Sequence, residues 1–328
     1  KDEAEYSYWI CRTSKSSYYG TGIDFGEEES KTKAVAEALE RYSLSIVRKD
    51  VLDSYHNLKG KKLDPGLFVN FSNKTLEGKR EEYIEKLRRT KFGWVNGVHL
   101  NSGDNVLMPS QLVYVPPKLG DEPIIRLPSS NGAAFGLNKE DAIMRGLFEL
   151  IERDSFMLAW LTKRKCPQLK INNELLSVFR KHALEPYVFD ISSDIRVPCV
   201  LAILVDKGGR GPAISTGLSC GLDYAAIITH ALLEAHKSRL IVRNMKENKI
   251  KFKIDYLNKR SAYWYSNKSI PKIKFLFSGI NENRDKRTIK FANFKDCLTY
   301  LKKTLDIYVV DITHKIVKDE GFSVVKVI

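Results

Sequence analysis

Apolar residues recur three and four positions apart in three stretches of the chain, a spacing that lines up one face of a helix. The first stretch covers residues 31–47, with Val35, Leu39, Tyr42 and Ile46 on its inward face. Glu27, Glu28 and Glu29 precede it and suit the positive end of a helix dipole. The second opens at Asn138, a helix-capping residue type with Asp141 three positions on, and carries Ile143, Leu147, Leu150 and Ile151. The third opens at Asp223 and carries Ile227, Ala231, Leu232, Ala235 and Leu240. Apolar runs at 106–115, 187–191, 197–205, 307–312 and 322–328 predict strands, and the small residues of 17–22 predict a turn before the first helix. Helices alternating with strands predict an α/β chain of mixed α+β character with mixed sheets. No Pro-, Gly- or Ser-rich linker divides it, so residues 1–328 are expected to form one composite domain. The first residue is not Met and the last lies in an apolar run, so both ends read as trimmed.

Composition narrows the function classes. A hydrophobic share of 43% in 328 residues is enough for a sizeable core. The formal charge of +14 suggests anionic partners, but the basic residues are scattered, with local excess only at 246–253 and 268–274. No nucleic-acid-binding motif accompanies them, so no nucleic-acid partner is expected. Five widely spaced cysteines with no CxxC pair predict free thiols, and no apolar run reaches the roughly 18 residues of a membrane span. A cytoplasmic protein with no membrane partner is the expectation.

Two of the helices carry similar polar patterns. Residues 36–43 read AEALERYS and residues 148–155 read FELIERDS, with a fainter echo, LEAHKSR, at 233–239. Glu37 with Glu40, and Glu149 with Glu152, stand three apart and so project from one helical face. Carboxylates on an apolar helix need a counter-charge. Arg41 and Arg153 can supply it within each helix, or the glutamates face water; alternatively the four converge on divalent cations. Mg²⁺ takes few carboxylates and shares its other positions with water and phosphate. There is no GxxxxGK[ST] loop, because residues 208–211, GGRG, have neither the spacing nor the following Lys-Ser/Thr.

These segments resemble the YcaO family of ATP-dependent peptide-modifying enzymes. Lys33 to Arg41 is similar to its SxxxExxER motif, with Lys33 where serine is usual. Residues 130–136, SNGAAFG, leading into 141–143 and 149–154, are similar to the family's SNGxAxG and ELIERD segments. Residues 231–239, ALLEAHKSR, are similar to its ALxEAxQSR helix, with Lys237 in place of glutamine. The resemblance implies Glu37, Glu40, Glu149 and Glu152 as Mg²⁺ ligands, Arg239 at the phosphates and Asp141 at the nucleotide; Lys33, one turn before Glu37, is either a replacement cation at the nucleotide or a solvated helix lysine. Leu137 stands where many members have a nucleotide-contacting asparagine, and Thr21 where many have a lysine between two glycines.

What the resemblance implies chemically is an ATP- and Mg²⁺-dependent cyclodehydratase acting on a ribosomally made precursor peptide. Phosphorylation of a backbone amide oxygen turns a poor leaving group into a good one. A Cys, Ser or Thr side chain then closes a thiazoline or oxazoline. Thioamide formation with an external sulfur donor, or a non-catalytic peptide-binding scaffold, are the alternatives. No leader-binding or ubiquitin-activating-enzyme-like region is recognisable, so a separate partner protein of one of those types is expected, and a homodimer is allowed. The proline-rich tail common among azoline-forming members is not in the sequence.

Overall fold

The computed structural model describes residues 5–13, 19–117, 119–249, 255–278 and 288–328. In chain order the elements are β1 (Ser7–Arg12), β2 (Tyr19–Asp24), α1 (Glu27–Ser45), β3 (Val51–Ser54), α2 (Arg80–Arg89), β4 (Lys91–His99), β5 (Asn105–Pro109), α3 (Ser110–Val113), β6 (Ala133–Gly136) and α4 (Lys139–Leu161). There follow α5 (Asn173–Arg180), β7 (Leu184–Asp190), β8 (Cys199–Asp206), β9 (Ile214–Cys220), α6 (Tyr224–Glu247), α7 (Asp255–Tyr265), α8 (Phe294–Leu301), β10 (Tyr308–Asp311), α9 (Lys315–Asp319) and β11 (Ser323–Val327). Mixed helices and sheets are thus the fold class, as the periodicity predicts. The chain divides into two compact units, one of Lys1–Ile10, Thr21–Ala34 and Phe148–Leu298, the other of Cys11–Gly20, Val35–Leu147 and Thr299–Ile328.

The first unit is built on an antiparallel sheet in the order β7-β8-β9. All eight residues of β8 are buried, as its unbroken apolar run requires. Helix α6 lies across this sheet, with Ile227, Ala231, Leu232 and Ala235 packed against Val188, Val200, Ala202 and Leu204. Gly217 of β9 makes the close approach possible: a Cβ there would meet the Ala231 carbonyl oxygen at 2.1 Å and the Ala235 nitrogen at 2.3 Å. Asp223 caps the helix by accepting from the Ala225 and Ala226 amides. The Tyr224 hydroxyl donates to Asp190 on β7 at 2.9 Å, fixing the helix start to the sheet.

The second unit holds a six-stranded sheet in the order β3-β4-β10-β11-β6, with β5 also paired to β4. Its core gathers Val95, Val106, Met108, Val310 and Val324, and a further cluster joins Phe92 and Trp94 to Leu87 of α2. Lys326 of β11 is fully buried in this core region, and its ammonium donates to the carbonyls of Ser129 and Asn131 at 2.8 and 2.6 Å. That bond holds down the loop entering β6.

Several expectations need correction. Residues 19–22 form part of β2 rather than a turn, while 17 and 18 lie outside the described residues. Gly22 is needed there because α1 crosses so near that a Cβ would meet the Ser30 carbonyl at 1.9 Å. Val35 and Ile46 are exposed, while Leu39 packs against the core as expected and the fully buried apolar residues of α1 are Ala34, Ala38 and Leu44. The run 106–115 is a short strand followed by the helical turn α3. Of the basic excess at 246–253, residues 250–253 lie outside the described residues.

Candidate functional site

In the first unit, α4 presents Glu149 and Glu152 with Arg153 beside them, at 3.6 Å from Glu149 and 3.5 Å from Glu152. The arginine is half-exposed and the contacts are long, so they do not offset the burial of Glu152, whose side chain is 13% exposed. Burial pushes the Glu152 carboxyl up to about 7; Arg153 and, more weakly, Lys237 oppose this, while Glu149 and Glu234 add to it. Glu234 stands on α6 and pairs with Lys237 at 2.7 Å. The structure therefore adds Glu234 and Lys237 to the sequence-derived set. Both lie in the quoted ALLEAHKSR segment, but only packing of α6 brings their charges to Glu152.

Arg239, also on α6, is 1% exposed. Its guanidinium lies 3.6 Å from the Asp206 carboxylate and donates to the Pro212 carbonyl at 3.1 Å. The guanidinium, with several N–H groups, is thus held by protein groups of the same unit. Lys33 is ion-paired with Asp24 at 2.6 Å. His236 is buried, its ring 4.6 Å from that of Tyr6.

In the second unit, Glu37 is paired with Arg41 at 2.6 Å, and Arg41 also donates to the Tyr19 carbonyl. Within-helix neutralisation is thus realised for Glu37. The Glu40 carboxylate accepts from the Phe135 amide at 3.3 Å, which joins the first glutamate motif to β6 and the SNGAAFG segment. Asp141 accepts from the Leu137 amide at 3.0 Å and pairs with Arg145 at 3.0 Å, while Asn138 accepts from the Asp141 amide. Asn138 thus caps the helix as the sequence predicts, and Asp141 reaches back to the residue before the cap.

Among the described residues, no three His, Cys, Asp or Glu side chains gather so as to hold a metal by themselves. The arrangement fits Mg²⁺, which shares its coordination with phosphate and water, better than a closed protein cage. The desolvated Glu152, with two further carboxylates raising its proton affinity, is a group beside which a divalent cation would add counter-charge. The cysteines are free thiols, with Cys166, Cys199 and Cys297 buried. Among the described residues no helix is long and apolar enough to cross a membrane.

The family model described as YcaO cyclodehydratase, ATP- and Mg²⁺-binding, matches residues 20–328. An uncharacterised protein of Methanothermobacter thermautotrophicus is 26% identical over 335 residues, covering 95% of this chain and 80% of its own. Among solved structures, a heterocyclase in complex with substrate and cofactor superposes with a TM-score of 0.75 at 21% identity, over 94% of this chain. This chain spans only 44% of that heterocyclase. The YcaO protein of Methanopyrus kandleri bound with AMPPCP and Mg²⁺ has a TM-score of 0.69 at 19% identity, covering all of this chain and 83% of its own.

Proposed function

Because this chain belongs to the YcaO family, whose members use ATP and Mg²⁺, we propose that it is a cyclodehydratase activating backbone amides of a ribosomally made peptide. The observation that carries this reading is the buried Glu152, held with Glu149 and Glu234 nearby and only a long contact to Arg153. A scaffold that merely bound peptide would gain nothing from such a group, since a buried carboxylate without full compensation costs stability.

Glu149 and Glu152, with Glu37 and Glu40, are the residues we assign to Mg²⁺, and Glu234 joins them. When bound, MgATP supplies the phosphoryl group that makes an amide oxygen a leaving group. The chain's own part is electrostatic and positional. The carboxylates fix where cations can sit, and Lys237, whose side chain is 16% exposed, adds a positive charge beside Glu234. Asp141 and Lys33 remain assigned to the nucleotide on the strength of the family motifs, and each is now paired, with Arg145 and Asp24 respectively. Arg239 is assigned to the phosphates on the same motifs, its guanidinium oriented by Asp206 and the Pro212 carbonyl. The peptide's own Cys, Ser or Thr then attacks the activated carbon, and phosphate leaves with the former amide oxygen, so each ring consumes one ATP and removes one water. Delivery of the peptide is assigned to a separate leader-binding or ubiquitin-activating-enzyme-like protein.

The test is to incubate the cognate peptide and partner with the enzyme, Mg²⁺ and ATP, with and without sulfide, and to measure the product mass. The reading predicts loss of one water per ring, independent of sulfide. Exchange of oxygen for sulfur, dependent on sulfide, would replace cyclodehydration by thioamide formation while keeping amide activation. An unchanged peptide without ATP turnover would favour the scaffold.

A further inference from the structure

Strand β9 ends the sheet of the first unit, with β8 on one side and, among the described residues, no strand on the other. At the two ends of the β8–β9 ladder the Gly221 amide donates to the Pro198 carbonyl at 3.1 Å and the Asp206 amide to the Ala213 carbonyl at 3.0 Å. Hydrogen-bonded and non-hydrogen-bonded pairs alternate between them, so Ile214, Thr216, Leu218 and Cys220 turn their backbone N–H and C=O groups away from β8. Among the described residues nothing pairs with those groups of Thr216, Leu218 or Cys220. Thr216 is exposed, and Leu218 and Cys220 are half-buried. A sheet edge of this kind is a template for another strand unless it is covered.

The edge opens on a cavity of about 300 Å³. Its lining takes Ile214, Ser215 and Thr216 in succession, and side chains alternate between the two faces of a sheet, so the cavity lies beside the edge rather than on one face. Ser238 and Val242 of α6 wall it on one face. Ile273 walls it on the other, from the segment Asn267–Ser278, where Phe277 meets Phe189 of β7 edge-on at 5.1 Å. Trp160 and Trp264, whose rings lie 5.7 Å apart, offer apolar surface to a side chain. Arg260 is the one charged residue of the lining; it is exposed and has no acidic partner among the described residues. The far end of the strand leads to the acidic cluster. Burial pushes the Cys220 thiol up, with Cys199 and then the Glu152 charge adding to it, so Glu152 stands near Cys220. Cys220 follows Thr216 by four residues, about 13 Å of strand.

We propose that the β9 edge is the groove that holds the peptide substrate: an extended segment adds to the sheet as a further strand, with an acidic side chain beside Arg260. The unpaired N–H and C=O groups supply the backbone bonds, which hold a segment in extended form whatever its sequence. The charge of Arg260 and the apolar walls select the residue at the cavity end. A segment of about five residues then reaches from the cavity to the neighbourhood of Glu152, where the amide to be activated lies. The inference rests on the peptide-modifying reading and adds to it how the peptide is held and what it carries.

Calorimetric titration of the full chain with the capped pentapeptides Ac-Glu-Val-Thr-Val-Thr-NH2 and Ac-Thr-Val-Thr-Val-Glu-NH2 tests this, with MgATP titrated into the same proteins. The two peptides bring the glutamate to Arg260 for either strand direction. The tighter of them is expected to bind in the millimolar range, and its fully N-methylated form not at all. Near saturation, hydrogen exchange at the Thr216 and Leu218 amides of the parent should slow about tenfold. Thr216→Pro removes an outward N–H but no bond to β8, and should weaken the peptide at least about tenfold in a protein that stays folded. Replacing the glutamate by lysine should weaken binding about fivefold in the parent and strengthen it in Arg260→Glu. Undiminished binding of the N-methylated form, unchanged hydrogen exchange in the bound parent, or full affinity in folded Thr216→Pro would overturn strand addition. Equal affinity for the glutamate and lysine peptides would overturn the charge contact. Dimers of the parent in sedimentation that are lost in Thr216→Pro would overturn the proposal by giving the edge to a second copy. No binding of either peptide to a protein that binds MgATP would overturn the groove and leave the proposed activity standing. Peptide binding with the expected pattern, in a protein that fails to bind MgATP, would uphold the groove and remove the proposed activity.

Discussion

Glu152 binds its proton more tightly in the folded chain than in the unfolded one, because burial takes its carboxylate out of water. Its carboxyl rises from an ordinary 4.5 to about 7. Between those pH values the folded state holds more protons, so its stability is full at low pH and falls as pH rises through the window. The loss approaches about 3 kcal/mol above pH 7. Glu152→Gln removes that dependence. Urea unfolding of the metal-free proteins should show the variant more stable than the parent at pH 8, with the advantage gone near the pH where an ordinary carboxyl titrates. Parallel pH profiles for the two proteins would mean that Glu152 is already compensated and has no need of a cation. The sequence points to Glu152 through its motif and apolar neighbours. It does not reveal the partners, because Glu234 and Lys237 lie more than eighty residues away and reach Glu152 only through the packing of α6.

The elements that carry the site are those whose ends are chemically marked. Asn138 and Asp223 cap α4 and α6 as their positions suggest, and the unbroken apolar run of β8 forms a fully buried strand. What stayed illegible is what depends on close approach. β2 reads as a turn because of its small residues, of which Gly22 is there to let α1 pass, and the carbonyls of Ser129 and Asn131 that pair with the buried Lys326 are almost two hundred residues away in sequence. Gly217→Ala is a direct test of the packing that holds α6. Its Cβ would press on the backbone of α6, so a loss of ~3 kcal/mol is expected in thermal or urea unfolding. Arg239 anchors the same helix. Arg239→Ala leaves Asp206 as a buried charge without its partner and should cost ~3–5 kcal/mol. Arg239→Lys, with a smaller loss of stability, should weaken MgATP binding at least about tenfold, because an ammonium does not reproduce the bidentate hold of a guanidinium on a phosphate. MgATP affinity within about threefold of the parent in the folded variant would leave Arg239 only an anchor of the helix.

For the whole molecule, the family-level motifs identify the chemistry more sharply than the charge or composition does. The net charge of +14 excludes little by itself, since the basic residues are scattered. The glutamate pairs carry the argument, and the structure distributes them between the two compact units, Glu37 and Glu40 in one, Glu149 and Glu152 in the other. Both pairs are assigned to one requirement, compensation of a triphosphate through Mg²⁺. The most direct test is calorimetric titration of ATP into the parent, Glu37→Gln and Glu149→Gln, with and without Mg²⁺. The account predicts binding by the parent only with Mg²⁺, and affinity at least about tenfold weaker in each variant, since each loses a full carboxylate charge at the cations. Unchanged MgATP affinity in both folded variants, or equal ATP binding with Mg²⁺ removed, would contradict it.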